Sequence, residues 1–134
     1  MPDHPTVHVV VIAVVTDPRG MLLVRTRDDG QWMCPQGWLR PDESVKDTAK
    51  RKVSEETGVL VSVERMLGMK SRLASPAVGE LWILLKCHPL AGTPRPGIME
   101  LDAVFTPLDA LPELKDGQRD WIQEALAASE LLLE

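Results

Sequence analysis

The sequence has no tyrosine, a single phenylalanine and only two cysteines among its 134 residues. Without tyrosine, no ligand can be recognised by stacking on a tyrosine ring. Cys34 and Cys87 are too few and too far apart for a disulfide framework or a structural zinc site. We therefore expect two reduced thiols, both mostly buried, as free cysteines usually are.

The chain also lacks a long apolar stretch, since no segment approaches the roughly 18 consecutive apolar residues that a membrane helix requires. The N-terminal residues MPDHPTVHVVV carry no basic region ahead of their apolar run, which argues against a signal peptide. The expected location is therefore the cytoplasm, with no membrane partner.

The formal net charge of −5 argues against a nucleic-acid surface, which normally needs clustered positive charge. It does not exclude a small phosphorylated substrate, because acidic sites recruit phosphates through divalent cations.

Length and composition favour one compact domain. The 134 residues suffice to bury one sizeable core, and the hydrophobic fraction of 44% is ordinary for a compact protein. Because the sequence shows no internal repeat, low-complexity tract or linker, we expect a single domain over residues 1–134.

Short apolar segments between proline and glycine punctuation predict strands. Residues 7–15 form a nearly continuous β-branched run, typical of a strand buried on both faces. Residues 21–25 follow a turn of hairpin length, so these two strands are expected to pair. Further strands are expected near residues 60–69, 81–87 and 99–105.

The clearest helix is predicted over residues 44–57. Ser44 can cap it, Asp47 follows at the capping-box position, and Gly58 supplies a left-handed exit. An apolar stripe recurs at every fourth position, at Val45, Ala49 and Val53. A second amphipathic helix is expected over residues 121–133. The order of elements predicts an α/β fold with a mixed β-sheet and helices packed on its faces.

Charged residues gather on one flank of the first helix. Since successive helical residues turn by about 100°, Lys52, Glu55 and Glu56 lie together beside the apolar stripe. The loop Pro35-Gln36-Gly37 enters just before this helix, and Gly37 lets its backbone come close. A backbone carbonyl and two carboxylates on a rigid element suit Mg²⁺ or Mn²⁺.

Residues 37–59, GWLRPDESVKDTAKRKVSEETGV, resemble the signature of the Nudix hydrolases, G-x5-E-x7-R-E-U-x-E-E-x-G-U, where U is a bulky aliphatic residue. Eight of its nine defined positions agree, namely Gly37, Glu43, Arg51, Val53, Glu55, Glu56, Gly58 and Val59. The preceding WMCPQG is similar to the family's W-x-x-P-x-G approach, and ELDAVFTPLDAL at 100–111 is similar to a downstream family segment. The resemblance covers most of the chain, and the box at 37–59 is its specific part.

The remaining position departs from the signature, because Lys52 stands where the family carries a glutamate. In Nudix enzymes that glutamate commonly ligates the catalytic metal, which a protonated lysine cannot do. Lys52 is spaced i,i+3 from Glu55 and i,i+4 from Glu56, so it can pair with either. An internal cation would then partly replace the metal that it displaces.

The resemblance implies a Nudix-type α/β/α sandwich, a mixed β-sheet flanked by helices. It also implies hydrolysis of a phosphoanhydride bond in a nucleoside diphosphate linked to another moiety. The implied cofactor is Mg²⁺ or Mn²⁺, held by Glu55, Glu56 and the carbonyl of Gln36. The expected partner is a small phosphorylated nucleotide-type substrate.

The expected catalytic residues are Glu55, Glu100 and Arg51. Glu100 is a candidate base or additional ligand, and an exposed acid at a strand end is the plainer interpretation of it. Arg51 is expected to orient the glutamates rather than to touch substrate, supported from around the site by Glu43, Lys52 and Gly37.

Four points stay open from the sequence. Loss of a metal ligand at Lys52 would leave a catalytically weakened, nucleotide-binding Nudix module. Trp38 either stacks on a nucleobase or packs under the loop, and the segment Leu73-Ala74-Ser75-Pro76 weakly resembles ADP-ribose pyrophosphatases. The oligomeric state is open, with a homodimer as one option because many relatives are dimers.

Overall fold

The computed structural model describes residues 6–75 and 78–132. In these residues it contains seven strands: β1 Thr6–Asp17, β2 Gly20–Thr26, β3 Trp32–Met33, β4 Gln36–Trp38, β5 Leu60–Ser75, β6 Val78–Ala91 and β7 Glu100–Thr106. The two α-helices are α1 Val45–Thr57 and α2 Gln118–Leu132, and short 3₁₀ turns lie at Leu108–Ala110 and Lys115–Gly117. The predicted strands and helices are all present, with β5 and β6 longer than expected. Pro76, considered above, and residue 133 at the end of the predicted second helix lie outside the described residues.

The sheet is mixed, as predicted. β1 pairs in parallel with β6 and antiparallel with β4, while β5 pairs antiparallel with β6. The expected hairpin of β1 and β2 forms, but its pairing is confined to Thr16↔Met21 and Asp17↔Gly20. Beyond the turn β2 pairs with β3 and β7 instead, so the two strands of the hairpin diverge into different parts of the sheet.

One helix covers each face of β1, which confirms the α/β/α arrangement. Side chains alternate along a strand, so Val11, Ala13 and Val15 join the cluster around Ala49 and Val53 of α1. The intervening Val10, Ile12 and Val14 join the cluster around Ile122 and Leu126 of α2. Burial of each large apolar side chain contributes about 1.5–3 kcal/mol, which holds both helices against the sheet.

Helix α1 begins and ends as its sequence predicts. The hydroxyl of Ser44 accepts a hydrogen bond from the Asp47 N–H at 3.0 Å, and Gly58 has the left-handed φ of 73°. The helix also has a partner at its C-terminal end that the sequence did not indicate. This is the segment 92–97, called the strap below, whose Arg95 and Gly97 N–H groups donate to the carbonyls of Thr57 and Glu56 at 2.9 and 3.1 Å.

The two cysteines are free and buried, as expected. Burial raises the pKa of each thiol to about 12. Over residues 6–75 and 78–132, neither helix combines the length and apolar character needed to cross a membrane.

Candidate active site

The site is built on the flank of α1 that carries Lys52, Glu55 and Glu56. The Nζ atom of Lys52 lies 3.3 Å from Glu55 Oε2 and 3.2 Å from Glu56 Oε2. The three side chains therefore share one flank of the helix, as their spacing predicts. The lysine bridges the two carboxylates rather than pointing away from them.

The aliphatic stem of Lys52 lies against the backbone of Gly37. A Cβ atom at Gly37 would stand 2.6 Å from both Cδ and Cε of Lys52. The close approach of this loop to α1, expected from the sequence, is thus present. The atoms that occupy the space over the glycine are those of the lysine stem.

Arg51 connects the loop before α1 to the helix itself. Its Nε and Nη2 atoms donate to the two carboxylate oxygens of Glu43 at 2.7 and 3.0 Å, a bidentate geometry. Its Nη1 atom donates to Glu55 Oε1 at 3.3 Å. The hydrogen bonds from Arg51 lower the pKa of Glu43, and Arg51 and Lys52 together outweigh burial to lower that of Glu55. Both carboxylates are therefore held in the charged form.

Glu56 is in a different environment from its neighbour. Its exposed fraction is 5%, and its Oε1 atom is buried without a hydrogen-bond partner. Burial raises the pKa of Glu56 to about 7, against the opposing effect of Lys52. A buried carboxylate oxygen without a partner is costly, so this atom is suited to bind a cation or a proton.

Glu100, at the start of β7, faces the same space. A cavity of about 290 Å³ is lined by Lys52, Glu55, Glu56, Ile98, Met99 and Glu100. The exposed fraction of Glu100 is 5%, so the interpretation as an exposed strand-end acid is wrong. The strap, which is hydrogen-bonded to the end of α1, leads along the chain to Glu100. Burial raises the pKa of the Glu100 carboxyl.

The backbone N–H and C=O groups of Gln36 do not take part in the pairing of β4 with β1. In the antiparallel register of β4 with β1, Val11 and Gly37 form a hydrogen-bonded pair, because the flanking ladder bonds join Ala13 to Pro35 and Leu39 to Val9. The amide and carbonyl of Gln36 therefore point away from β1. The Gln36 N–H is close enough to Glu56 to lower its pKa against the effect of burial.

Similarity to known proteins identifies the family of this chain. The family model described as NUDIX domain matches residues 6–125. The chain belongs to the Nudix family. A "MutT-like protein" of Streptomyces ambofaciens is 32% identical over 93 residues, covering 68% of this chain and 58% of the relative. "Nucleoside diphosphate-linked moiety X motif 6" of Mus musculus is 30% identical over 100 residues, covering 69% of this chain and 32% of the relative. The chain thus spans less than two thirds of these curated relatives.

Solved structures of similar proteins agree with the fold. An ADP-ribose pyrophosphatase from Streptococcus suis is 31% identical, with a TM-score of 0.72 and 91% of each chain covered. A structure titled UDP-X diphosphatase has a TM-score of 0.82 at 22% identity, covering 95% of this chain and 64% of the other, and shows the fold alone.

The fold therefore brings together most of the site residues expected from the sequence. Glu55, Glu56 and Glu100 line one cavity, Arg51 and Glu43 support Glu55, and Lys52 lies between the two box carboxylates. Across the described ranges, however, no cluster of three or more His, Cys, Asp or Glu side chains is arranged to hold a metal ion. The carboxylate oxygens of Glu55 and Glu56 are donors that suit a hard divalent cation, and the ammonium of Lys52 contacts the Oε2 atom of each.

Trp38 is the residue for which one sequence interpretation fails. It does not pack under the loop of the Nudix box, since its exposed fraction is 60%. Its ring stacks on His8 instead, with centroids 4.3 Å apart and planes within 8°. The reason is register: Trp38 pairs with Val10, so its side chain shares a sheet face with His8, two residues earlier in β1.

Two structural supports of the site, Gln118 and the strap, were not predicted from the sequence. Gln118 has an exposed fraction of 1% and exchanges hydrogen bonds with the Gln36 side chain at 3.1 and 3.4 Å. The helix α2 begins at this residue, three positions before the predicted start. A local signal for this start is Gly117, which has a φ of 67° at the end of the preceding turn. The second support is the strap, which the sequence shows only as a proline- and glycine-rich run.

Proposed function

We propose that this Nudix chain is a divalent-metal-dependent hydrolase of a phosphoanhydride bond in a nucleoside diphosphate linked to another moiety. The observation that carries the proposal is Glu56 Oε1, a buried carboxylate oxygen without a partner, in a cavity lined by two more glutamates. A structural carboxylate in that position would be expected to have its hydrogen bonds satisfied.

Three groups would hold the ion, Mg²⁺ or Mn²⁺: the carboxylates of Glu55 and Glu56 and the backbone carbonyl of Gln36. When bound, such an ion neutralises the diphosphate and lowers the pKa of a coordinated water. Oxygen donors of this kind are the ligands that hard divalent cations prefer.

The remaining residues have separate roles in this scheme. Arg51, bound to Glu43 on one side, holds the Glu55 carboxylate in place through its 3.3 Å hydrogen bond. Glu100 would accept the proton of the attacking water at its carboxylate. Its pKa, raised by burial, makes it a stronger base than an exposed glutamate.

The names of the relatives support the substrate class. ADP-ribose and a nucleoside diphosphate linked to a moiety X both contain a phosphoanhydride between a nucleoside phosphate and a second group. The identity of that second group is a separate matter from the reaction type. The chain spans only part of the curated relatives, so their activities enter here only as support.

A second candidate follows from the position of Lys52. Its ammonium group bridges the carboxylates that would hold the ion, so the chain is alternatively a nucleotide-binding Nudix module with weakened chemistry. In that case nucleotides would stabilise the fold without being hydrolysed.

One experiment separates the two candidates. A panel of nucleoside diphosphate derivatives is assayed for Mg²⁺-dependent hydrolysis and, in parallel, for a rise in melting temperature. Glu56→Gln should abolish hydrolysis, whereas Glu124→Gln, on the exposed face of α2, should leave it unchanged. Stabilisation without hydrolysis in the wild type favours the binding module. Equal hydrolysis by Glu56→Gln and Glu124→Gln would contradict the assignment of the site to Glu56.

A further inference from the structure

The ammonium of Lys52 is nearly equidistant from two carboxylates. It lies 3.3 Å from Glu55 Oε2 and 3.2 Å from Glu56 Oε2. Glu56 is buried while the side chain of Glu55 is half exposed, so the lysine joins an interior charge to a solvated one. This is the geometry of a bridging cation.

The aliphatic stem of Lys52 is also held in place by the backbone of the preceding loop. Its stem crosses Gly37, where a Cβ would stand 2.6 Å from Cδ and Cε. A solvated surface lysine would not need a bare glycine beneath it. The side chain of Lys52 is only 22% exposed, which agrees with a fixed position.

We infer that Lys52 is the built-in counter-cation of the Glu55–Glu56 pair, and that a divalent cation must displace it to bind both carboxylates. The inference rests on the proposed function for the role of the ion. It adds that this chain keeps its carboxylate pair in place without metal and binds metal only in competition with its own lysine.

The physical basis is the cost of an uncompensated buried charge. Removing one partner of a buried ion pair is strongly destabilising, because the other charge is left without compensation. In the absence of metal, Lys52 supplies the compensation for Glu56. A divalent cation held by both carboxylates would be repelled by the ammonium of Lys52, which would have to turn aside. Removal of the lysine charge therefore weakens the metal-free protein and strengthens metal binding.

The test measures Mn²⁺ binding by calorimetry and melting temperature in a chelator, so it does not depend on turnover. Lys52→Met removes the charge but keeps an unbranched side chain over Gly37, and Lys52→Glu adds a carboxylate. Lys50→Met, an exposed position on the same helix, is the matched control. Should Lys52→Met fail to fold, Lys52→Gln removes the charge while keeping a donor to the carboxylates.

We expect Lys52→Met to bind Mn²⁺ at least tenfold more tightly than the wild type, and Lys52→Glu more tightly still. In chelator, Lys52→Met should melt below Lys50→Met, and Mn²⁺ should close that difference. Equal Mn²⁺ affinity in the wild type and all Lys52 variants would overturn the inference while leaving the proposed hydrolase intact. Absence of Mn²⁺ binding in every form, with no hydrolysis, would overturn the inference and the proposed function together.

Discussion

The carbonyl oxygen of Glu55 lies so close to Gly97 that a Cβ built on this glycine would stand 2.2 Å from it. The same Cβ would stand 2.7 Å from Glu100 Oε1. Gly97 is not among the glycines with positive φ, so space rather than backbone conformation requires a glycine here. The strap and α1 can meet only because this position lacks a side chain.

Gly97→Ala is therefore expected to push the strap from the end of α1 and to shift Glu100 within the cavity. Overpacking against backbone costs about 1–3 kcal/mol, and hydrolysis should fall with it. The control is Gly79→Ala, where a Cβ would meet its nearest neighbour at an ordinary 3.7 Å. Urea unfolding and Mg²⁺-dependent hydrolysis are the measurements. Native stability together with a native rate in Gly97→Ala would contradict the fit described for the strap.

Glu43→Gln tests the role of Arg51 as a positioning residue. The amide cannot accept both guanidinium hydrogen bonds as a carboxylate does, so Arg51 loses its anchor and Glu55 its orientation. We expect kcat to fall about tenfold, which corresponds to about 1.4 kcal/mol at the transition state, with little change in KM. Asp42→Asn, at the neighbouring exposed position, should match the wild type. If the two variants behave alike, the guanidinium contact does not position Glu55.

Gln118→Leu tests the amide pair beneath the loop. The change removes both hydrogen bonds between Gln36 and α2 and leaves the Gln36 side chain only its bond to the Cys34 carbonyl, and each hydrogen bond lost costs about 0.5–1.5 kcal/mol. Gln123→Leu, at an exposed position of the same helix, is the control. The free energy of unfolding in urea should fall for the first variant only, and equal stability of the two would show that the pair contributes nothing.

The thiols of Cys34 and Cys87 should resist modification in the native protein. Burial raises the pKa of both to about 12, so below that pH they stay protonated, and the thiolate is the reactive form. At pH 8 a thiol reagent should label neither cysteine in native buffer and both in denaturant. Rapid native labelling without loss of structure would contradict the burial described for these residues.

Much of the fold could be predicted because its signals are local. The ends of α1 follow from Ser44 and Gly58, and the burial of β1 on both faces follows from its β-branched run. The box spacing also placed Lys52, Glu55 and Glu56 on one flank, since a helix converts sequence spacing directly into angle. The divergence of β2 from β1 could not be predicted, because it depends on pairing with β7, which is distant in sequence.

The sequence by itself determined which chemical groups this protein can bring to its site, namely two glutamates, an arginine and a lysine at fixed helical spacing on α1, together with Glu100. Only the tertiary structure decided the state of each group. Glu56 is buried with one carboxylate oxygen unpartnered, Glu100 follows the strap into the same cavity, and Trp38 is exposed and stacks on His8. The physical reason is that spacing along a helix depends on neighbouring residues, whereas burial and desolvation depend on segments that meet only when the chain has folded.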